Sequence, residues 1–153
     1  MNNTRVNKNI IAIGCDHAGF DLKENIKIFL EKENYILKDY GTNTSESMDY
    51  PDIAHILSKD INDGKYLFGI IICGSGNGMA MTANKYINVR AAICWTEEIA
   101  HFARKHNDAN ILSLPARFID VEEAKKISKM FLKESFEGGR HQRRIEKIKN
   151  IIL

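Results

Sequence analysis

The chain has 153 residues, 44% of them apolar and 27% charged, with a formal net charge of +2. That is enough for one domain with a proper core, and the near-neutral balance argues against a nucleic-acid-binding or strongly acidic protein. No apolar stretch approaches the roughly 20 residues of a membrane span, and three widely spaced cysteines (Cys15, Cys73, Cys94) point away from a disulfide framework and toward a reducing, cytoplasmic setting.

Met1–Asn9 is polar, lacks the apolar core of a secretory signal and reads as a flexible tail, leaving residues 10–153 as a single domain. Ile10–Cys15 reads as a first strand, followed by Leu22, Ile26, Phe29 and Leu30 at helical spacing. Tyr35–Asp39 is a second strand. Pro51, suited to a first helical position, opens the segment carrying Ile53, Ile56, Leu57 and Ile61. Tyr66–Cys73 is a third strand, and its uncharged run from Phe68 fits burial on both sheet faces. Val89–Trp95 is a fourth, after which Thr96, Glu97 and Glu98 supply the cap and first turn for Ile99, Phe102, Ala103 and His106. Asn110–Leu114 is a fifth, and Asp120 with Glu123 resembles a capping box ahead of Val121, Ala124, Ile127 and Phe131. The alternation predicts an α/β, Rossmann-like three-layer domain of about five parallel strands with helices on both faces. Ile145, Ile148 and Ile152 give the final helix an apolar stripe for packing on the domain or on a second subunit.

In such sheets ligands bind past the C-terminal ends of the strands. Cys73 closes the third strand and opens into Gly74, Gly76 and Gly78. Alternate glycines allow a tight turn that presents N–H groups to an anion, close to the start of a helix expected from Met79. This is the kind of setting that activates a thiol, whereas Cys15 and Cys94, at strand ends without glycines, read as core. The loop is not the dinucleotide fingerprint, whose third glycine would fall at Met79, nor a P-loop, since no Lys-Ser or Lys-Thr follows. A nucleotide site is the weaker alternative. Asp16 fits an N-cap as well as a ligand, beside His17. His106 fits a helix end as well as a catalytic group, with Asn107 suited to the left-handed cap after it. His55 and His101 read as structural. Arg140 and Arg144, one turn apart, make a clamp for one phosphate. Against a nucleic-acid patch, the basic cluster around them is short, mixed with Glu146 and free of interleaved aromatics.

Six segments occur in this order: Gly14-Cys-Asp-His-Ala-Gly-Phe20, Asp49-Tyr-Pro-Asp52, Cys73-Gly-Ser-Gly-Asn-Gly78, Ala83-Asn-Lys85, His106-Asn-Asp108 and Gly138-Gly-Arg-His-Gln142. Together they resemble ribose-5-phosphate isomerase type B over nearly the whole chain from Asn9. The resemblance implies an aldose–ketose isomerase of the pentose phosphate pathway, acting on ribose 5-phosphate through an enediolate with no metal or other cofactor. It implies Cys73 as base, His106 as the acid–base group for ring opening, and Ser75 in proton transfer between O1 and O2. The backbone of Gly74, Gly76, Asn77 and Gly78 would hold the enediolate. Asp16, His17 and Asn107 match sugar-binding positions, and Arg117, Arg140 and Arg144 match phosphate-binding ones. Some family members carry a glutamate base directly after the glycine loop; Met79 stands there in this chain and cannot take a proton, which selects the cysteine branch. The resemblance further implies a homodimer or dimer of dimers, with sites built across the subunit boundary and the final helix contributing, and no membrane or nucleic-acid partner. The alternatives are an isomerase of allose 6-phosphate or galactose 6-phosphate, and a non-catalytic nucleotide or sugar-phosphate binding module. Cys73 and His106 together speak against the binding module, which needs neither.

Overall fold

In the first and third strands successive side chains go to opposite faces, and both faces are apolar, so helices must cover both. The computed structural model describes residues 7–149, with strands β1 (Ile10–Cys15), β2 (Ile36–Asp39), β3 (Phe68–Cys73), β4 (Ala91–Ile93) and β5 (Ile111–Pro115). The helices are α1 (Phe20–Lys32), α2 (Tyr50–Asn62), α3 (Asn77–Ala83), α4 (Glu97–Lys105), α5 (Val121–Lys133) and α6 (Arg140–Glu146). Ile11, Ile13, Ile70 and Ile72 pack with Leu22, Ile26 and Leu30 of α1, Ala100 of α4 and Ile127 and Phe131 of α5. On the other face Ala12, Ile71 and Cys73 pack with Leu57 and Ile61 of α2 and Met79 and Ala83 of α3. Each isoleucine fully buried in this way contributes roughly 1.5–3 kcal/mol.

The five strands are parallel in the order β2-β1-β3-β5-β4. After β1 the chain passes to the α1 face, and after β3 to the α3 face. The loops leaving these neighbouring strands therefore part, and a crevice opens at their C-terminal ends.

Several strand limits differ from the sequence expectation. The second begins at Ile36 rather than Tyr35, because Asn34 is left-handed (φ 67°) and the Tyr35 N–H donates back to Leu30 O at 3.0 Å. The third begins at Phe68, where pairing with Ile11 starts. The expected Val89–Trp95 strand shrinks to Ala91–Ile93, since β4 is an edge strand that pairs only with β5 and Val89 N–H turns back to Tyr86 O. The fifth runs on to Pro115, which faces Cys73 in the ladder. The outer edge of β4 is closed by the side chain of Asn84, whose amide accepts from Ala91 N–H at 2.8 Å and donates to Ala91 O at 3.0 Å.

The left-handed residue after α4 is Asp108 (φ 46°), not Asn107. Its carboxylate is held there by Arg104 at 2.8 Å and Arg90 at 2.9 Å. Part of the expected 1–9 tail is tied to the sheet: Asn9 O accepts from Ile36 N–H at 2.8 Å, while residues 1–6 lie outside the described residues. In the final apolar stripe Ile145 is buried, Ile148 is exposed and Ile152 lies outside the described residues. Under the N-terminal half of α1, Lys23 is fully buried and donates to both oxygens of Asp39, at 2.8 and 2.9 Å. Among the described residues no helix is long and apolar enough to cross a membrane.

Candidate active site

The crevice between the β1 and β3 loops is a cleft of about 240 Å³ lined by Asp16, His17, Ala18, Tyr50, Cys73, Gly74, Ser75, Gly78 and Arg117. Its floor is set by β3, which delivers Cys73 to the strand end with only 4% of its surface exposed. Beyond Cys73 the backbone turns through Gly76, whose left-handed conformation (φ 77°) suits glycine. The turn is fixed from beneath by the buried Ser113 hydroxyl, which donates to Gly76 O at 2.7 Å. α3 starts at Asn77, two residues before the expected Met79.

Each wall residue has a local reason for its place. Asp16 caps the short 3-10 turn His17–Gly19, its Oδ1 accepting from the N–H groups of Ala18 at 3.0 Å and Gly19 at 3.1 Å. The cap expected of Asp16 is present, and the same residue lines the cleft. His17 Nδ1 accepts from Met48 N–H at 3.3 Å, which leaves its ring proton on Nε2. Ser75 Oγ accepts from Asn77 N–H at 3.3 Å and from its side-chain amide at 3.2 Å, so the serine proton is left to donate elsewhere. The N–H groups of Ser75 and Gly76 have no partner among the described residues. Arg117, exposed after β5, lies over the loop, with guanidinium atoms 3.3 Å from where a Cβ on Gly74 would stand. Tyr50 is a wall residue that the sequence reading quoted only within a motif. Its ring fills the space above Gly78, 2.5 Å from where a side chain there would begin, and the signal was the Asp49-Tyr-Pro segment itself.

Burial pushes the thiols of Cys15 and Cys94 up to about 12. They remain protonated at neutral pH and face the opposite core from Cys73. A larger cavity, about 550 Å³, opens at the other ends of the strands beside Arg90 and Arg104, but its lining brings no thiol or histidine.

The remaining expected site residues lie elsewhere. α4 runs back against the strands, so His106 and Asn107 emerge at the N-terminal edge of the sheet, ahead of β5. The length of β5 alone, roughly 15 Å, separates that edge from Cys73. His106 is half-buried and stacks on His141 of α6, with centroids 4.2 Å apart. Arg140 and Arg144 of the same helix are exposed. One chain thus gathers Asp16, His17, Cys73, Gly74, Ser75, Gly76, Asn77, Gly78 and Arg117 at one sheet edge, and His106, Asn107, Arg140 and Arg144 toward the other.

Residues 11–148 match the ribose/galactose isomerase family. The chain belongs to that family. It is 41% identical over 138 residues to ribose-5-phosphate isomerase B of Escherichia coli, covering 90% of this chain and 93% of that one. It is 43% identical over 139 residues to D-erythrulose-4-phosphate isomerase of Pectobacterium atrosepticum, covering 90% and 91%. The crystal structure of ribose-5-phosphate isomerase B from Mycoplasma genitalium with bound ribulose 5-phosphate superposes with a TM-score of 0.88 at 43% identity, covering 92% of this chain and 93% of that one. The five-stranded parallel sheet is thus the family fold.

Proposed function

We propose that this chain interconverts D-ribose 5-phosphate and D-ribulose 5-phosphate by moving a proton between C2 and C1, with Cys73 as the base. The observation that carries this reading is a buried thiol on the floor of a cleft whose one lining carboxylate, Asp16, is already committed to capping. The ribulose 5-phosphate bound by the Mycoplasma relative supports the substrate. The Cys73 thiolate takes the C2 proton, and the electron pair passes onto the C1 oxygen to give an enediolate. Ser75 and Gly76 N–H groups donate to that charge, which exists only along the reaction path. Ser75 carries a proton from O2 to O1, and the thiol returns its proton to C1 as the C2 carbonyl forms. Arg117 holds the phosphate from within the chain, while Asp16 and His17 Nε2–H meet the sugar. His106 opens the sugar ring, while Asn107, Arg140 and Arg144 bind sugar and phosphate. Their distance from Cys73 supports a role in the cleft of a second copy, in a homodimer or a pair of homodimers. Trp95 and Phe118, 53% and 74% exposed beside the cleft, suit coverage by that copy. We place the enzyme in the cytoplasm, where its three free cysteines stay reduced.

The test is isomerisation in deuterated water. Wild type is expected to incorporate deuterium at C2 of ribose 5-phosphate. Cys73→Ala is expected to lose turnover by about 10²–10⁴-fold, the typical share of a general base, with unchanged circular dichroism. Near-normal turnover in that variant rejects Cys73 as base, and tight binding without deuterium uptake by wild type favours a binding module. A second reading rests on the Pectobacterium relative, whose name gives a four-carbon substrate. One carbon more or fewer changes binding by only about 1–3 kcal/mol, so the same assay includes tetrose, pentose and hexose phosphates.

A further inference from the structure

His106 and His141 stack with their planes within 8° of parallel, and Glu137 Oε1 lies 3.6 Å from His141 Nε2. One donor atom from each of these three residues lies within 4.8 Å of the other two. His141 is only 5% exposed, and its Nε2 is buried with no hydrogen-bond partner. An unmet buried polar atom is destabilising, and α6 keeps this one beside an exposed carboxylate. Burial, reinforced by the neighbouring His106 and by the guanidinium groups of Arg140 and Arg144, holds the His141 pKa below the usual histidine range.

We infer that His106, Glu137 and His141 form a binding site for a divalent ion of the zinc class. Two imidazoles and one carboxylate suit Zn²⁺ and its first-row neighbours better than Mg²⁺ or Ca²⁺, which prefer all-oxygen sets. Ligands at about 2.1 Å around a tetrahedral ion lie roughly 3.4 Å apart. Closing from the present separations needs the imidazoles to turn out of their parallel stack so that their in-plane lone pairs converge. His106, half-buried at the end of α4, and Glu137, exposed before α6, have room to make that adjustment. The consequence rests on the proposed isomerase function: an ion held here occupies the group that opens the sugar ring, so it inhibits turnover and takes no part in the reaction.

The experiment is calorimetric titration of the full chain with Zn²⁺, in parallel with isomerase assays at rising Zn²⁺. One ion per chain is expected, with affinity reduced about tenfold or more in Glu137→Gln and in His141→Asn. Glu137→Gln should turn over normally without the ion, and its inhibition should shift by the same factor as its binding. Cys73→Ser should bind Zn²⁺ as wild type does. Absence of binding, equal affinity in all variants, or loss of binding in Cys73→Ser alone overturns the site. Because calorimetry does not depend on turnover, failure of the isomerase reading leaves the binding result interpretable. Glu137→Gln changes an exposed side chain, so the test survives if His141→Asn misfolds.

Discussion

A methyl group on Gly19 would stand 2.5 Å from the carbonyl oxygen of Ile72 and 2.8 Å from its carbon, both backbone atoms that cannot swing aside. The turn after β1 thus lies directly on the end of β3, and this contact fixes Asp16 and His17 relative to Cys73. At Gly78 the obstacle is the Tyr50 ring at 2.5 Å, a side chain 40% exposed on the rim. Gly19→Ala is expected to lose about 1–3 kcal/mol of stability, whereas Gly78→Ala displaces Tyr50 and raises KM with a smaller change in Tm. Scanning calorimetry and steady-state kinetics on the two variants check this; equal losses of Tm would show that the β1 turn can shift. At this scale the sequence was informative about which residues are chemical. Cys73 stood out because alternate glycines follow it, and Asp16-His17 because the pair lies just past a strand end, where ligands bind. Tyr50 did not, because its role comes from a packing contact with a residue 28 positions later.

The join of α1 to β2 rests on charge. Lys23, fully buried, is matched by Asp39, whose carboxylate also accepts from Lys27 at 2.7 Å and from Gly41 N–H at 2.8 Å. Burial alone would raise the Asp39 pKa, but the hydrogen bonds from Lys23, Lys27 and Gly41 outweigh it and hold it below the usual carboxylate range. A depressed carboxylate contributes its stability in full above the unfolded value, about pH 4, and loses it as pH falls through the lower folded value. Asp39→Asn leaves the buried Lys23 ammonium with Glu24, at 3.3 Å, as its remaining carboxylate and is expected to cost at most about 3–5 kcal/mol near neutrality. The variant should also lack the part of the wild-type stability loss that begins below about pH 4. Thermal melts across pH 3–7 measure both, and parallel wild-type and variant profiles would reject the assignment. Periodicity made the strands and main helices legible, since each must bury an apolar face. It left the edges blurred, as at β4, where pairing with a single neighbour stops the strand at three residues. Nor could it reveal Lys23, a charge on the buried side of a helix whose partner lies 16 residues away.

For the molecule as a whole, the direction of α4 is decisive. Any sequence reading can note Cys73 and His106, but only the fold shows that strand and helix carry them to opposite sheet edges. The proposed two-copy site makes a specific prediction. Cys73→Ala and His106→Asn are each expected to be inactive alone. Mixed after dissociation and reassembly, half of the dimers carry one of each chain, and one of their two clefts has both groups intact. About a quarter of wild-type activity should return. A site complete within one chain would return none, so a mixture as inactive as its parents refutes the shared site.

The amide of Asn84 has a bearing on how such copies meet. By satisfying both backbone groups of Ala91, it occupies hydrogen-bonding positions that another strand would need to extend the sheet past β4. An open edge invites strand addition and, from there, aggregation. With only three residues and a side chain already docked along it, β4 offers little template for that growth. A copy meeting this flank would have to do so by side-chain packing, which closes on a limited assembly where an open ladder would not.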